Sequence, residues 1–107
     1  MALTRGFIDT VRMRAQQDVA FRRAMLKEAL DVLLEGEVAV GRSMLRDYIN
    51  ATIGFEELAS EIGIPAKSLH RMFGANGNPS ITNLISVITA LRQAEHVTFE
   101  VLVEQAS

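Results

Sequence analysis

No part of the chain restricts its fold as tightly as residues 55–73, FEELASEIGIPAKSLHRMF. Leu58, Ala59 and Ile62 recur at helical spacing and make one apolar stripe, and Leu69, Met72 and Phe73 make another. Neither stripe is long enough to persist in water by itself, so both need a larger core to rest on. Between them Gly63 is free to take a positive φ, Ile64 can tuck into the core, and Pro65 fits the first position of a new helix, where its missing N–H costs nothing. Two short helices joined by a tight glycine-containing turn, with a small residue where they cross, form a helix-turn-helix. Ala59 is that small residue; a larger side chain there would force the helices apart.

The flanking sequence reads mostly as helix, so the expected class is all-α with one short β-strand at the C-terminal end. TRGFIDTVRMRAQQ, residues 4–17, predicts a first helix with Phe7, Ile8 and Val11 on one side. In DVAFRRAMLKEALDVLLEG, residues 18–36, Phe21, Met25, Leu26, Ala29, Leu30, Leu33 and Leu34 recur at three- and four-residue steps. Asp18 is placed to cap that helix and Gly36 to end it. VAVGRSMLRDYINAT, residues 38–52, puts Leu45, Tyr48, Ile49 and Thr52 on an apolar face and directs Arg42, Arg46 and Asp47 elsewhere. In the tail HVTFEVLV, residues 96–103, Val97, Phe99, Val101 and Val103 alternate with Thr98, Glu100 and Leu102, a β-pattern. A lone strand cannot satisfy its own backbone, so this one is expected to pair with its copy in a second subunit or with a strand of a partner protein. A last short helix starting at Thr98 is the alternative.

At 107 residues the chain is sized for a single domain whose modest core dimerisation can complete. Its expected divisions are N-terminal helices over 1–53, the helix-turn-helix core over 54–92 and a dimerisation tail over 96–104. The absence of cysteine excludes disulfides, thiolate metal sites and cysteine nucleophiles, and fits a reducing cytoplasm. No run approaches the roughly 18 apolar residues of a membrane span, and MALTRGFIDTVRMR lacks an apolar signal-peptide core, so a cytoplasmic protein without a membrane partner is expected. His70 and His96 lie far apart in sequence, Glu56 and Glu57 point about 100° apart on a helix, and neither Gly-x-Ser-x-Gly nor His-Glu-x-x-His occurs. GANGNPS, residues 74–80, lacks the Gly-Lys-Ser/Thr ending of a nucleotide loop and reads as a turn into a capped helix. No catalytic residue, metal or cofactor is therefore expected.

The net charge of −2 is unevenly distributed. Residues 1–27 carry six Lys/Arg against Asp9 and Asp18, and residues 28–61 carry eight Asp/Glu against Arg42 and Arg46. From Ile62 to Ala94 there is no acid, only Lys67, Arg71 and Arg92; Glu95, Glu100 and Glu104 follow. Phosphate attraction is largely screened beyond about 10 Å at 0.1 M salt, so a local cationic window can hold nucleic acid on an acidic protein.

Leu58, Ala59, Gly63, Ile64, Leu69 and Met72 fall at the positions of the motif core in the lambda-repressor-like (Xre/Cro) DNA-binding family, which this chain resembles over residues 54–92. GNPSITNLISVITAL, residues 77–91, continues the resemblance, since that family follows its second motif helix with a loop, commonly Asn-Pro-Ser/Thr, and a further core helix. The preceding helical pair, LRD at 45–47 and the tail VTFEVLV at 97–103 resemble the HigA-like addiction-module antidotes of bacterial toxin–antitoxin pairs, some of which are described simply as transcriptional regulators.

The resemblance implies that the second motif helix lies in a major groove with its N-terminal side chains at base edges. That assigns base contacts to Ala66, Lys67 and Arg71: a methyl for thymine, an ammonium for guanine acceptors and a bidentate guanidinium for guanine. Ser68, His70, Asn76, Asn78 and Ser80 are assigned to phosphates, Ser80 with a helix N-terminus behind it. Where the family often opens its first motif helix with a phosphate-binding polar residue, this chain has Gly54, Phe55, Glu56 and Glu57, so affinity per subunit should be modest. A homodimer on an inverted-repeat operator would supply the rest, with half-sites about one helical turn or a multiple apart.

Three functions are compatible with these residues. The first is an antitoxin that neutralises a basic toxin protein through the N-terminal helices and the acidic stretch 28–61, and represses its own operon on double-stranded DNA. The second is a stand-alone transcriptional repressor, and the third a helical adaptor that keeps the motif without binding DNA.

Overall fold

The computed structural model describes residues 5–107; Thr4, the expected start of the first helix, lies outside the described residues. Among the described residues there are six helices and no strand: α1 (Arg5–Gln17), α2 (Val19–Leu34), α3 (Val38–Ala51), α4 (Phe55–Ile62), α5 (Ala66–Met72) and α6 (Ile81–Glu95). Residues 97–107 are neither helix nor strand, so no helix starts at Thr98 and the expected strand forms no ladder among the described residues. Among the described residues no helix is long and apolar enough to cross a membrane.

The boundaries follow from local chemistry. The Asp18 carboxylate accepts the Phe21 N–H at 3.0 Å and starts α2. After α2 the Gly36 N–H closes onto the Leu33 carbonyl at 3.0 Å and the chain reverses into α3. The α2–α3 pair packs closely because Gly41, on the inner face of α3, has no side chain: a Cβ there would lie 2.6 Å from Leu33 Cγ and 3.1 Å from the Leu33 backbone nitrogen.

Three expected apolar positions, Phe7, Ile8 and Leu34, are exposed. Phe7 and Ile8 are exposed at 53% and 37%, and α1 buries only Ala15. Polar and cation–π contacts help tie this helix down: Arg12 Nε donates to the Asn50 carbonyl at 3.0 Å, Arg22 Nη1 to the Ala15 carbonyl at 2.9 Å, and the Arg14 guanidinium lies 4.5 Å above the Phe21 ring. Leu34 is 72% exposed because the core-facing side of α2 runs through Leu26, Ala29, Leu30 and Leu33, and Leu34, the last residue of the helix, lies off that side.

One continuous core joins α2 to α6: Leu26, Ala29, Leu45, Ile49, Phe55, Leu58, Leu69, Phe73, Val87 and Leu91, with Tyr48 among them. Glu95, one turn beyond Leu91, prolongs the same buried stripe of α6. Its Oε1 accepts from Tyr48 Oη at 2.6 Å and from Arg22 Nε at 2.7 Å, while Oε2 is buried without a hydrogen bond, 3.7 Å from Arg23 Nε. Burial alone would raise the Glu95 carboxyl, but the hydrogen bonds from Arg22 and Tyr48 and the charges of Arg22 and Arg23 outweigh it and hold the group below the ordinary carboxylate value. Burial first, then the Glu95 carboxylate, pushes the Tyr48 phenol well above its usual value. The result fastens the end of α6 to α2 and α3. Beyond it the amides of His96 and Val97 turn back to the carbonyls of Gln93 and Arg92, with His96 in the left-handed region at φ 57°.

Two outcomes are expected. Because Glu95 has a lower folded than unfolded pKa, it stabilises the fold above the unfolded carboxylate value, about 4.3, and that contribution is lost as pH falls through its lowered value. Glu95→Gln should therefore lower stability near neutral pH by about 3 kcal/mol and flatten the acid limb of a urea-denaturation series. Gly41→Ala, which in an open helix would gain about 1 kcal/mol, should here destabilise by about that amount or more, because the new methyl collides with Leu33; a fall in Tm would report it.

Candidate nucleic-acid interface

The junction of α4 and α5 is built as the turn chemistry requires. Gly63 sits in the left-handed region at φ 71°, where a side chain would be strained, and its N–H closes α4 onto the Ala59 carbonyl at 2.9 Å. Pro65 stands one residue earlier than expected. It is the cap of α5, with φ −56° and ψ 139°, and its carbonyl accepts the Leu69 N–H at 3.1 Å; Ala66 opens the helix. An extended ψ at the cap keeps the proline ring outside the helix and still provides the first acceptor.

Leu58 and Leu69 are fully buried, and Ala59, Ile62, Ile64 and Met72 pack half-buried against the same core. Phe55, a residue with nothing to offer a phosphate, is buried; its ring centroid lies 4.4 Å from His70 and 6.1 Å from Phe73. It lies beneath α5, and its ring contact with His70 adds to the hold that buried Leu69 has on that helix.

The other assigned residues gather around this helix and the loop after it. Lys67, His70 and Arg71 are exposed, and Ala66 and Ser68 half-buried. Lys67 and Arg71, four residues apart, share one side of α5, and Arg71 Nη2 lies 3.5 Å from Ser68 Oγ. Asn76, Asn78 and Ser80 are exposed along the loop. Ser80 Oγ accepts the Asn83 N–H at 3.1 Å as the cap of α6, which leaves its hydroxyl hydrogen to donate outward. The loop is pressed against the end of α5: the Gly77 N–H donates to the Gly74 carbonyl at 3.0 Å, and a Cβ on Gly77 would lie 2.0 Å from the Met72 carbonyl oxygen. From α3, Arg42 Nη2 reaches the Ala75 carbonyl at 3.2 Å.

Charge follows the same division. Among the described residues every ion pair uses a cation from the N-terminal part of the chain: Arg14 with Asp18, Arg22 and Arg23 with Glu95, and Lys27 with Asp31. Arg42, Arg46, Lys67, Arg71 and Arg92 are in none. Glu57 and Glu61 line a cleft of about 600 Å³ with Arg22, Tyr48 and Glu95, between α4 and the C-terminal end of α6.

Glu95, Phe55 and Arg42 are the structurally important residues that sequence reasoning passed over. For Glu95 a signal existed: Val87, Leu91 and Glu95 repeat at four-residue steps, so a carboxylate stood in phase with the core. Phe55 has the same signal, standing three residues before Leu58. Arg42 had none, because its acceptor lies 33 residues further on.

No protein-family model matches the chain, and neither a curated protein nor a solved structure matches it.

Gly77→Ala should displace the loop from α5, since the atom it would strike is backbone and cannot rotate away. A destabilisation of about 2 kcal/mol is expected, with amide chemical-shift changes concentrated at residues 70–80.

Proposed function

We propose that this protein is a sequence-specific DNA-binding regulator that works as a homodimer on an inverted-repeat operator, with α4 and α5 as its helix-turn-helix and α5 as its recognition helix. The observation that carries this reading is the pair Lys67 and Arg71, exposed and without ion-pair partners on a helix whose orientation is over-determined by Gly63, Leu69 and Phe55. The acid-free sequence from Ile62 to Ala94 surrounds that pair. In this reading Ala66, Lys67 and Arg71 meet base edges, and Ser68, His70, Asn76, Asn78 and Ser80 meet phosphates.

The dimer is supported by the tail. Phe99, Val101, Leu102 and Val103 are all exposed, on backbone that forms no ladder among the described residues. Strand pairing with a second copy would cover them and satisfy the backbone together.

Within this reading an antitoxin role is favoured over that of a stand-alone repressor by the junction of α2 and α3. There Leu34, Val38 and Val40 are exposed on either side of exposed Glu35 and Glu37, with Glu28 and Asp31 exposed on the preceding turns of α2. An apolar strip edged with carboxylates suits a basic protein partner. A small basic open reading frame beside the gene would distinguish the two roles.

Binding to a labelled duplex from upstream of the gene, titrated across salt, tests the proposal. Wild-type protein should retain the duplex specifically, with affinity falling steeply as salt rises. Lys67→Ala with Arg71→Ala should weaken specific binding about a hundredfold or more while circular dichroism is unchanged. Equal retention by the double variant would overturn α5 as the recognition helix, and no retention by the wild type at any salt would leave the adaptor role as the better reading.

A further inference from the structure

The recognition surface proposed above is confined to α5 and the loop after it, yet the structure brings a third element to that loop. Arg42, in the second turn of α3, crosses to the loop and donates one guanidinium N–H to the Ala75 carbonyl at 3.2 Å. Ala75 is itself exposed. Water would serve its carbonyl equally well, so the arginine is not needed to satisfy a buried acceptor. A guanidinium carries five N–H donors in a rigid fork, and this bond occupies one of them.

The surroundings of Arg42 set it apart from an ordinary surface arginine. It lies in the chain's most acidic stretch, where eight carboxylates accompany only Arg42 and Arg46, and yet no carboxylate is in ion-pair distance of it among the described residues. Its acceptor is the immediate neighbour of Asn76, and Asn78 and Ser80 follow on the same loop. That loop is held in place by the contact of Gly77 with the end of α5, so a cation fastened to it has a fixed position.

We propose that Arg42 is a backbone-binding residue of the DNA interface, a cation delivered from α3 and pre-oriented by the Ala75 carbonyl so that its remaining donors meet a phosphate beside the loop. The assignment rests on the DNA-binding reading above and extends its footprint from one helix and loop to α3. Pre-orientation matters because an arginine already held at one edge loses less side-chain freedom when it takes up a phosphate. A phosphate contact carries no sequence information, so Arg42 contributes to matched and mismatched DNA alike.

The test is the salt dependence of binding to two duplexes, the fragment from upstream of the gene and a scrambled duplex of equal composition, using the full chain with Arg42→Gln and Arg42→Lys. Arg42→Gln should weaken binding to both duplexes about tenfold at moderate salt and reduce the slope of log K against log salt by about 0.9 per bound subunit, the signature of one lost phosphate contact. Arg42→Lys should restore most of that slope. Thermal unfolding of both variants checks that the fold is kept. If Arg42→Gln weakens binding with the slope unchanged, the residue only positions the loop and the assignment fails while the DNA-binding reading stands. Unaltered binding also overturns the assignment, and no salt-dependent binding by the wild type overturns both.

Discussion

Helices of eight and seven residues cannot exist alone in water, and everything else in this molecule can be understood as what α4 and α5 need in order to be held. Each contributes a single fully buried leucine, Leu58 and Leu69, to a core whose other members come from α2, α3 and α6, with Phe55 and Phe73 at the ends of the short pair. Their geometry is therefore borrowed. Gly63 permits the chain to reverse, but the orientation that results is set by the side chains underneath, and a defect in the α2–α3 pair would reach α5 through them. The close approach at Gly41 is accordingly more than a local packing detail, because it sets the separation of the two helices that carry Leu26, Ala29, Leu45 and Ile49.

A second fastening uses charge where apolar contact would have been possible. Glu95 ends the buried stripe of α6 and binds Tyr48 of α3 and Arg22 of α2 through one oxygen. An apolar side chain of similar volume would avoid the desolvation of the carboxylate, and buried ion pairs commonly add little net stability for that reason. What the carboxylate adds is direction. Leucine at 95 could slide along the core, whereas Glu95 meets its two donors in one placement of α6, and the start of α6 borders the loop that presents Asn76, Asn78 and Ser80.

How much of this was legible beforehand depended on how far each interaction reaches along the chain. Asp18, Ser80 and Gly63 act within a few residues of themselves, and the helix boundaries they set were readable; Pro65 missed by one position because cap and first turn are both compatible with a fixed φ. Interactions that span the chain were not readable. Arg22 and Glu95 are separated by 73 residues, Tyr48 and Glu95 by 47, and nothing in a periodic pattern pairs them. Periodicity also cannot find a polar contact made at long range. It marked Phe7, Ile8 and Val11 as one side of a helix, but not that Arg12, Arg14 and Arg22 would help fasten α1 to its neighbours. The tail 97–103 belongs to the same class, since its alternation is plain in the sequence while the structure leaves it neither helix nor strand.

Charge is the property for which sequence totals mislead most. A net charge of −2 suggests a surface that repels polyanions, but acids and bases here are not averaged over the surface. Asp18, Asp31 and Glu95 are matched with cations from the first 27 residues of the chain, and exposed Glu57 and Glu61 border the cleft beside Tyr48. Among the described residues the cations from Arg42 onward have no carboxylate in ion-pair distance. At a screening length of about 10 Å an approaching polyanion responds to the charges nearest it, and around α5 those include Lys67, Arg71 and the guanidinium that Arg42 holds against Ala75. The local pairing of acids, rather than their number, decides what such a surface attracts.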